Sequence, residues 1–126
     1  MPTIRQLLAT AAVVVAVAAC SGGGAAASIT PPPDADASVT AQNTSFAQTS
    51  IELPAGKPTH VFFKNLDGEP HNIAIYTDSS ASKSLFVGDK INNAAQTYSV
   101  PALDAGTYFF RCDVHPSMTG TVQVGG

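Results

Sequence analysis

The sequence has no apolar run long enough to cross a membrane as a helix. Its longest apolar stretch, Leu7–Ala19, is interrupted by Thr10, whereas a stable span needs about 20 apolar residues. One charged residue, Arg5, precedes the stretch, and small residues end it. This pattern is typical of a secretory signal peptide, to which we assign residues 1–19.

Cysteine is also scarce: the chain of 126 residues contains Cys20 and Cys112 alone. Cys20 directly follows Val17-Ala18-Ala19, which resembles the lipobox of bacterial lipoproteins. The resemblance implies that residues 1–19 are a lipoprotein signal and that Cys20 is lipidated and becomes the first mature residue. Cys112 would then be a single thiol in an oxidising compartment, where it needs burial or a metal.

Basic residues are few. Six stand against nine acidic residues, and the formal net charge is −3, or −4 without Arg5 in the signal peptide. This balance argues against nucleic acid as a partner and is compatible with a cationic one.

Large apolar side chains are almost missing between residues 21 and 38, where Ile29 stands alone. Such a segment cannot bury enough surface to offset the entropy of ordering it. We therefore predict a lipidated Cys20 and disordered linker over residues 20–38, stiffened at Pro31-Pro32-Pro33. The folded domain is predicted over residues 39–126, with its strands between about Val39 and Val124.

No stretch of the predicted domain shows a convincing helical period, and short alternating runs are separated by turn residues. About seven short strands in this length predict an all-β fold, an antiparallel Greek-key β-sandwich. The predicted inward-facing sets are Ile51 and Leu53; Val61 and Phe63; His71, Ile73 and Ile75; Tyr108, Phe110 and Cys112; Val122 and Val124, with a further strand at Gln96–Val100.

Three local features are less regular. Phe46 is out of phase with Ile51, which indicates a bulge between them. Phe62 alternates with Val61 and should point outward. The stretch 77–93 is predicted to be a loop with a short strand near Leu85–Val87.

The segment Cys112-Asp113-Val114-His115-Pro116-Ser117-Met118 places a thiolate, an imidazole and a thioether within one loop. A thiolate and two imidazoles bind copper in a trigonal plane, and a thioether is a weak axial ligand. The second imidazole must therefore come from elsewhere in the chain. His71 is in phase with the inward-facing Ile73, whereas His60 is out of phase with Val61, so we assign His71 as the fourth ligand.

Three further motifs accompany the ligand loop: Phe46-x4-Ile51-x-Leu53-Pro54-Ala55-Gly56, Pro70-His71-Asn72 and Gly106-Thr107-Tyr108-Phe109-Phe110-Arg111-Cys112. With these motifs the chain resembles the cupredoxin (type 1 blue-copper) family over nearly all of residues 38–124, and it has the short Cys-x2-His-x2-Met loop of the amicyanin-like members. The resemblance implies one type 1 copper ion held by His71, Cys112, His115 and Met118. It also implies that Asn72 braces the cysteine loop.

Three alternatives stay open. Zinc could use the same donors, although structural zinc sites more often contain several thiolates. A metal-free interaction sandwich would leave the ligand loop unexplained. The protein could also deliver or sequester copper in the periplasm or outside the cell instead of carrying electrons.

We expect a non-enzymatic electron carrier, because four protein ligands leave no open position for a substrate. Its expected partners are redox proteins, with a basic cytochrome or a membrane oxidase or reductase as candidates. We expect an exported, monomeric protein anchored to the membrane by lipid and facing the periplasm or the cell exterior.

Overall fold

The alternating apolar residues form nine strands in the computed structural model, which describes residues 30–125. The predicted signal peptide, the predicted lipidation site Cys20, residues 21–29 of the predicted linker and Gly126 lie outside that range. Within it there is no helix, and hence none that could span a membrane. The strands are β1 (Ala37–Gln42), β2 (Ser45–Phe46), β3 (Ser50–Leu53), β4 (Thr59–Asn65), β5 (Ala74–Tyr76), β6 (Ser84–Val87), β7 (Ala94–Val100), β8 (Gly106–Arg111) and β9 (Thr119–Val124).

The strands form two sheets, one in the order β2-β1-β4-β7 and the other in the order β3-β9-β8-β5-β6. Most neighbours are antiparallel, as predicted, but β1 and β4 are parallel, and so are β3 and β9. The chain leaves the first sheet after β2, adds β3 to the second sheet and returns as β4. These crossovers give the predicted Greek-key sandwich its two parallel pairs.

The core is built from the facing sides of both sheets. Val39 and Phe63 of the first sheet and Phe110 and Val122 of the second are fully buried. Phe46 joins the two sheets, with its ring centroid 6.4 Å from that of Phe63 and 5.3 Å from that of Phe110. Burial of such side chains stabilises the fold by about 1.5–3 kcal/mol each, which gives the site a rigid base.

Two of the local predictions are wrong. No bulge separates Phe46 from Ile51: Phe46 lies in β2 of one sheet and Ile51 in β3 of the other, so the change of phase marks a change of sheet. The irregular register lies instead between Ile75 and Tyr76, where β5 meets β6. Phe62 lies on the opposite face of β4 from Val61 and Phe63, but the exposure expected there is absent: its side chain is buried in a groove shared with Pro31-Pro32-Pro33.

The end of the predicted linker packs on the sandwich. The backbone of Asp36 bonds to that of His60 at 2.8 Å, and its carboxylate accepts the His60 N–H at the same distance. Strand β1 begins at Ala37, two residues before the expected start at Val39. Composition alone does not reveal this boundary, because a segment rich in proline and aspartate has the same composition whether it is ordered by contacts or is a free linker.

The predicted strand through His71, Ile73 and Ile75 is shorter than expected. Regular pairing begins at Ala74, and His71 makes an isolated bridge to Ile91. The reason is a separate set of partners: His71 and Ile91 exchange two backbone bonds of 3.0 Å, and the Ile73 carbonyl accepts the Gly88 N–H. His71 is thus clamped at the end of the sheet.

Candidate metal centre

Strand β8 delivers Cys112 to one end of the sandwich. Phe110 and Cys112 lie on the same face and are both fully buried. Regular pairing of β8 with β9 ends at Arg111 and Thr119, so residues 112–118 form the connecting loop. Among residues 30–125, Cys112 is the only cysteine and is not in a disulfide.

The ligand loop is closed by its own backbone. The Cys112 N–H donates to the Met118 carbonyl at 3.0 Å, and the Met118 N–H donates to the His115 carbonyl at 2.9 Å. Met118 is 3% exposed and belongs to the hydrophobic core. The three side chains that the sequence singled out are therefore held on one short, cross-bonded turn.

His71 and His115 meet Cys112 at this end. Nδ1 of His71 lies 3.8 Å from Sγ of Cys112 and 3.0 Å from Nδ1 of His115. The nearest ligand atoms of all three residues lie within 4.8 Å of one another. Donors placed about 2.0–2.3 Å from one ion in a trigonal plane are roughly 3.5–4 Å apart. The separation of Sγ of Cys112 from Nδ1 of His71 falls in this range, and that of the two histidine nitrogens is somewhat shorter. With one thiolate, two imidazoles and one thioether, the donor set is that of a type 1 copper site.

His71 and His115 differ in exposure. The side chain of His71 is fully buried, whereas that of His115 is 27% exposed. His60 lies apart from them, 45% exposed and 3.6 Å from Asp34. The described structure therefore brings His71 to the cysteine loop and leaves His60 at the surface.

Asn72 connects the His71 segment to the cysteine loop. Its side-chain oxygen accepts the N–H of Asp113, the residue after Cys112, at 2.8 Å. Its amide nitrogen donates to the Gly88 carbonyl at 3.0 Å. Asn72 is fully buried, so these bonds are shielded from water and fix the distance between the two segments that carry His71 and Cys112.

A second brace was not expected. Arg111 donates to the Asp113 carboxylate at 3.1 Å and lies 5.0 Å from the Tyr76 ring centroid. The Tyr76 hydroxyl donates to the same carboxylate at 2.6 Å. Burial raises the pKa of Asp113, but the bonds from Tyr76 and Arg111 outweigh burial and hold that pKa below its usual value. The ionised carboxylate thus ties the start of the ligand loop to strand β5.

Two carboxylates from one loop face the far sides of the histidine rings. Asp67 lies 2.8 Å from Nε2 of His71, and Glu69 lies 3.3 Å from Nε2 of His115. Neither acid was paired with a histidine from the sequence. The signal available was the four-residue separation of Asp67 from His71 across a turn, which is too common a pattern to be specific.

A two-sheet sandwich with this donor set at one end defines a protein of the type 1 copper class. The chain matches the family model of the cupredoxin-like domain over residues 9–124 and belongs to the cupredoxin family. Its cofactor is a single copper ion, for which His71, Cys112, His115 and Met118 are suitably placed.

Known relatives agree with this assignment. Plastocyanin of Sambucus nigra is 34% identical over 88 residues, which cover 64% of this chain and 87% of the plastocyanin. Plastocyanin of Capsella bursa-pastoris is 36% identical over 88 residues, covering 64% and 89%.

Solved structures share the fold. Amicyanin from Paracoccus versutus superposes with a TM-score of 0.58 at 27% identity, covering 79% of this chain and 89% of the amicyanin. Dithionite-reduced auracyanin from Roseiflexus castenholzii has a TM-score of 0.63 at 19% identity, covering 71% and 96%.

Proposed function

We propose that this protein carries single electrons between redox partners at the outer face of a bacterial membrane. The observation that carries the proposal is the clustering of His71, Cys112 and His115 at a buried end of the sandwich. A type 1 copper ion bound there supplies a one-electron couple between Cu(II) and Cu(I). Mutants of amicyanin, whose fold this chain shares, have been solved in a Cu(I) form and in an oxidised form.

The fold restricts the movement of the copper ligands. The cross-bonded turn between Cys112 and Met118, and the bond from Asp113 to Asn72, resist rearrangement of the loop. When ligand positions are common to both oxidation states, little has to move as the charge changes. We propose His71, Cys112 and His115 as the strong ligands and Met118 as the weak axial one.

His115 is proposed as the route by which electrons enter and leave. Its ring is partly exposed, and the neighbouring Pro116 is exposed as well. Glu69, 67% exposed, lies 3.3 Å from the outer ring nitrogen. An exposed carboxylate beside His115, where electrons are proposed to enter and leave, favours cationic partners, such as a basic cytochrome, over anionic ones.

The charge preference can be measured with small redox complexes. Glu69→Gln should slow electron exchange with a cationic complex and speed it with an anionic one, and the difference should shrink at high salt. Glu52→Gln is the matched control, because Glu52 is exposed and pairs with Gln123, near the end of β9 away from the ligand loop. If the two variants change the rates of electron exchange equally, His115 beside Glu69 is not the route of electron transfer.

Copper delivery is the second candidate function, because the same ligands could release Cu(I) to an acceptor. The full-length chain, loaded with copper, is cycled between oxidation states in the presence of a Cu(I)-specific chelator. An electron carrier keeps its copper through repeated cycles and exchanges electrons rapidly. Stoichiometric transfer of Cu(I) to the chelator on the first reduction would favour delivery and contradict the carrier function.

Membrane attachment is proposed to depend on Cys20. The full-length chain produced in a bacterium should incorporate labelled fatty acid and sediment with membranes, since two or more acyl chains give stable anchoring. Cys20→Ala should remain unlabelled. Recovery of the unmodified chain as a soluble, unlabelled monomer would contradict the anchor and leave the copper site untouched.

A further inference from the structure

Asp67 is held in place by the tight turn between strands β1 and β2. Strands β1 and β2 are joined by Asn43 and Thr44, whose φ angles are 54° and 55°. A two-residue hairpin loop with positive φ at both positions matches the twist of the strands. The N–H of Asn43 donates to Oδ1 of Asp67 at 2.8 Å, and the N–H of Thr44 donates to Oδ2 at 2.9 Å.

The same carboxylate reaches His71. Oδ2 of Asp67 lies 2.8 Å from Nε2 of the fully buried His71 ring. Each oxygen of the Asp67 carboxylate thus accepts a backbone N–H from the turn, as an ionised carboxylate does. The backbone of Asp67 is fixed too, because its N–H donates to the buried side chain of Asn65 at 2.8 Å.

These contacts decide which ring nitrogen of His71 carries the hydrogen. An ionised carboxylate only accepts hydrogen bonds, so Nε2 must be the donor to Asp67. In the neutral ring, Nδ1 then keeps its lone pair. Nδ1 is the nitrogen that lies 3.8 Å from Sγ of Cys112 and 3.0 Å from Nδ1 of His115, where a metal ligand is needed.

We infer that Asp67, held by the Asn43-Thr44 turn, is a positioning residue that fixes the His71 tautomer and ring orientation for metal binding. Partners of this kind orient ligating histidines in metal sites generally. The inference deepens the proposed function and rests on it only in taking His71 as a ligand. It assigns to the β1–β2 hairpin, which contributes no ligand itself, a part in shaping the site.

The first test uses the metal-free full-length chain. Nitrogen-15 NMR of the histidine rings at neutral pH should find His71 in the Nε2–H form. In Asp67→Ala, the Nδ1–H form should become populated, because the acceptor is gone. Asp78→Ala is the matched control: Asp78 is exposed and caps a turn through the Ser80 N–H, and this variant should leave the His71 signals unchanged.

The second test is metal affinity. Asp67→Ala should weaken Co(II) and Cu(II) binding by about 10–100-fold, and Asp78→Ala should leave it within about twofold of the parent. If Asp67→Ala does not fold, Asp67→Asn provides the test. Its amide oxygen still accepts the His71 Nε2–H, so the His71 tautomer should persist. The hydrogen bond should be weaker, with an upfield-shifted Nε2–H signal and a smaller loss of metal affinity than in Asp67→Ala.

Two results would overturn the inference and leave Asp67 as a support of the hairpin only. The first is a folded Asp67→Ala chain in which both the His71 tautomer and the metal affinity are unchanged. The second is an Asp67→Asn chain in which neither the Nε2–H signal nor the metal affinity changes. Because the NMR experiment contains no metal and no redox partner, its result stands whether or not the protein carries electrons.

Discussion

The side-chain oxygen of Asn72 accepts the backbone N–H of Asp113 at 2.8 Å, across 41 residues of sequence. This bond joins the segment that carries His71 to the loop that carries Cys112. A rigid metal centre depends on such connections, because neither segment is part of a regular strand at that point.

Removal of this brace should destabilise the protein. Asn72→Ala leaves the Asp113 N–H and the Gly88 carbonyl without their partner, and loss of two buried bonds should cost about 2–4 kcal/mol in the free energy of unfolding. Denaturant titration of the metal-free chain measures it. Asn92→Ala is the control, since exposed Asn92 makes one long bond of 3.4 Å; equal costs for both variants would contradict the role of Asn72.

Gly88 allows the close approach on which Asn72 depends. A Cβ at this position would lie 2.6 Å from Cζ of Tyr98 and 2.9 Å from the Ile73 carbonyl oxygen. Gly88→Ala should therefore destabilise the fold by about 1–3 kcal/mol. Gly125→Ala, where a Cβ meets nothing within 4 Å, should stay within about 0.5 kcal/mol of the parent. Matching thermal transitions in the two variants would show that the backbone relaxes freely there.

Tyr98 should give the fold an alkaline limit. It is 3% exposed, and burial raises its pKa above the ordinary value of about 10. The protonated form stabilises the fold, so this contribution is complete below pH 10 and is lost as pH rises above it. Between pH 8 and pH 11 the loss is about 1.4 kcal/mol.

The variant Tyr98→Phe separates this effect from other titrations. It loses the hydrogen bond from the hydroxyl to the Asp89 carbonyl, so it should be about 1 kcal/mol less stable at pH 8. The deficit should vanish or reverse at pH 11, as measured by urea unfolding at both values. A deficit that is the same at both pH values would contradict the prediction.

The all-β sandwich and the site residues Cys112, His115 and Met118 could be predicted from the sequence, because alternation and the Cys-x2-His-x2-Met spacing are local signals. His71 could be predicted from its phase with Ile73. The burial of Phe62 could not be predicted, because the residues that cover it, Pro31-Pro32-Pro33, lie elsewhere in the chain. The same applies to Arg111: its pairing with Asp113 and Tyr76 depends on the alignment of β5 with β8. The bond from Asp67 to His71 likewise needs the hairpin turn at residues 43–44, which no local pattern links to the site.

Met118 should tune the copper without being needed to hold it. Met118→Leu keeps the volume of the buried side chain, so the metal-free protein should lose less than about 1.5 kcal/mol. Cu(II) depends on the additional donor more than Cu(I) does, so the reduction potential measured by voltammetry should rise while the colour persists. Complete loss of copper would contradict a weak axial role.

The visible spectrum of the full-length chain after addition of Cu(II) tests the central claim most directly. A thiolate bound to Cu(II) in a trigonal site should give an intense sulfur-to-copper charge-transfer band and a blue solution. Cys112→Ser should abolish the band and keep the β fold, whereas His60→Ala, at the surface, should leave it unchanged. A colourless copper complex of the unmodified chain, or a band that survives in Cys112→Ser, would contradict the account.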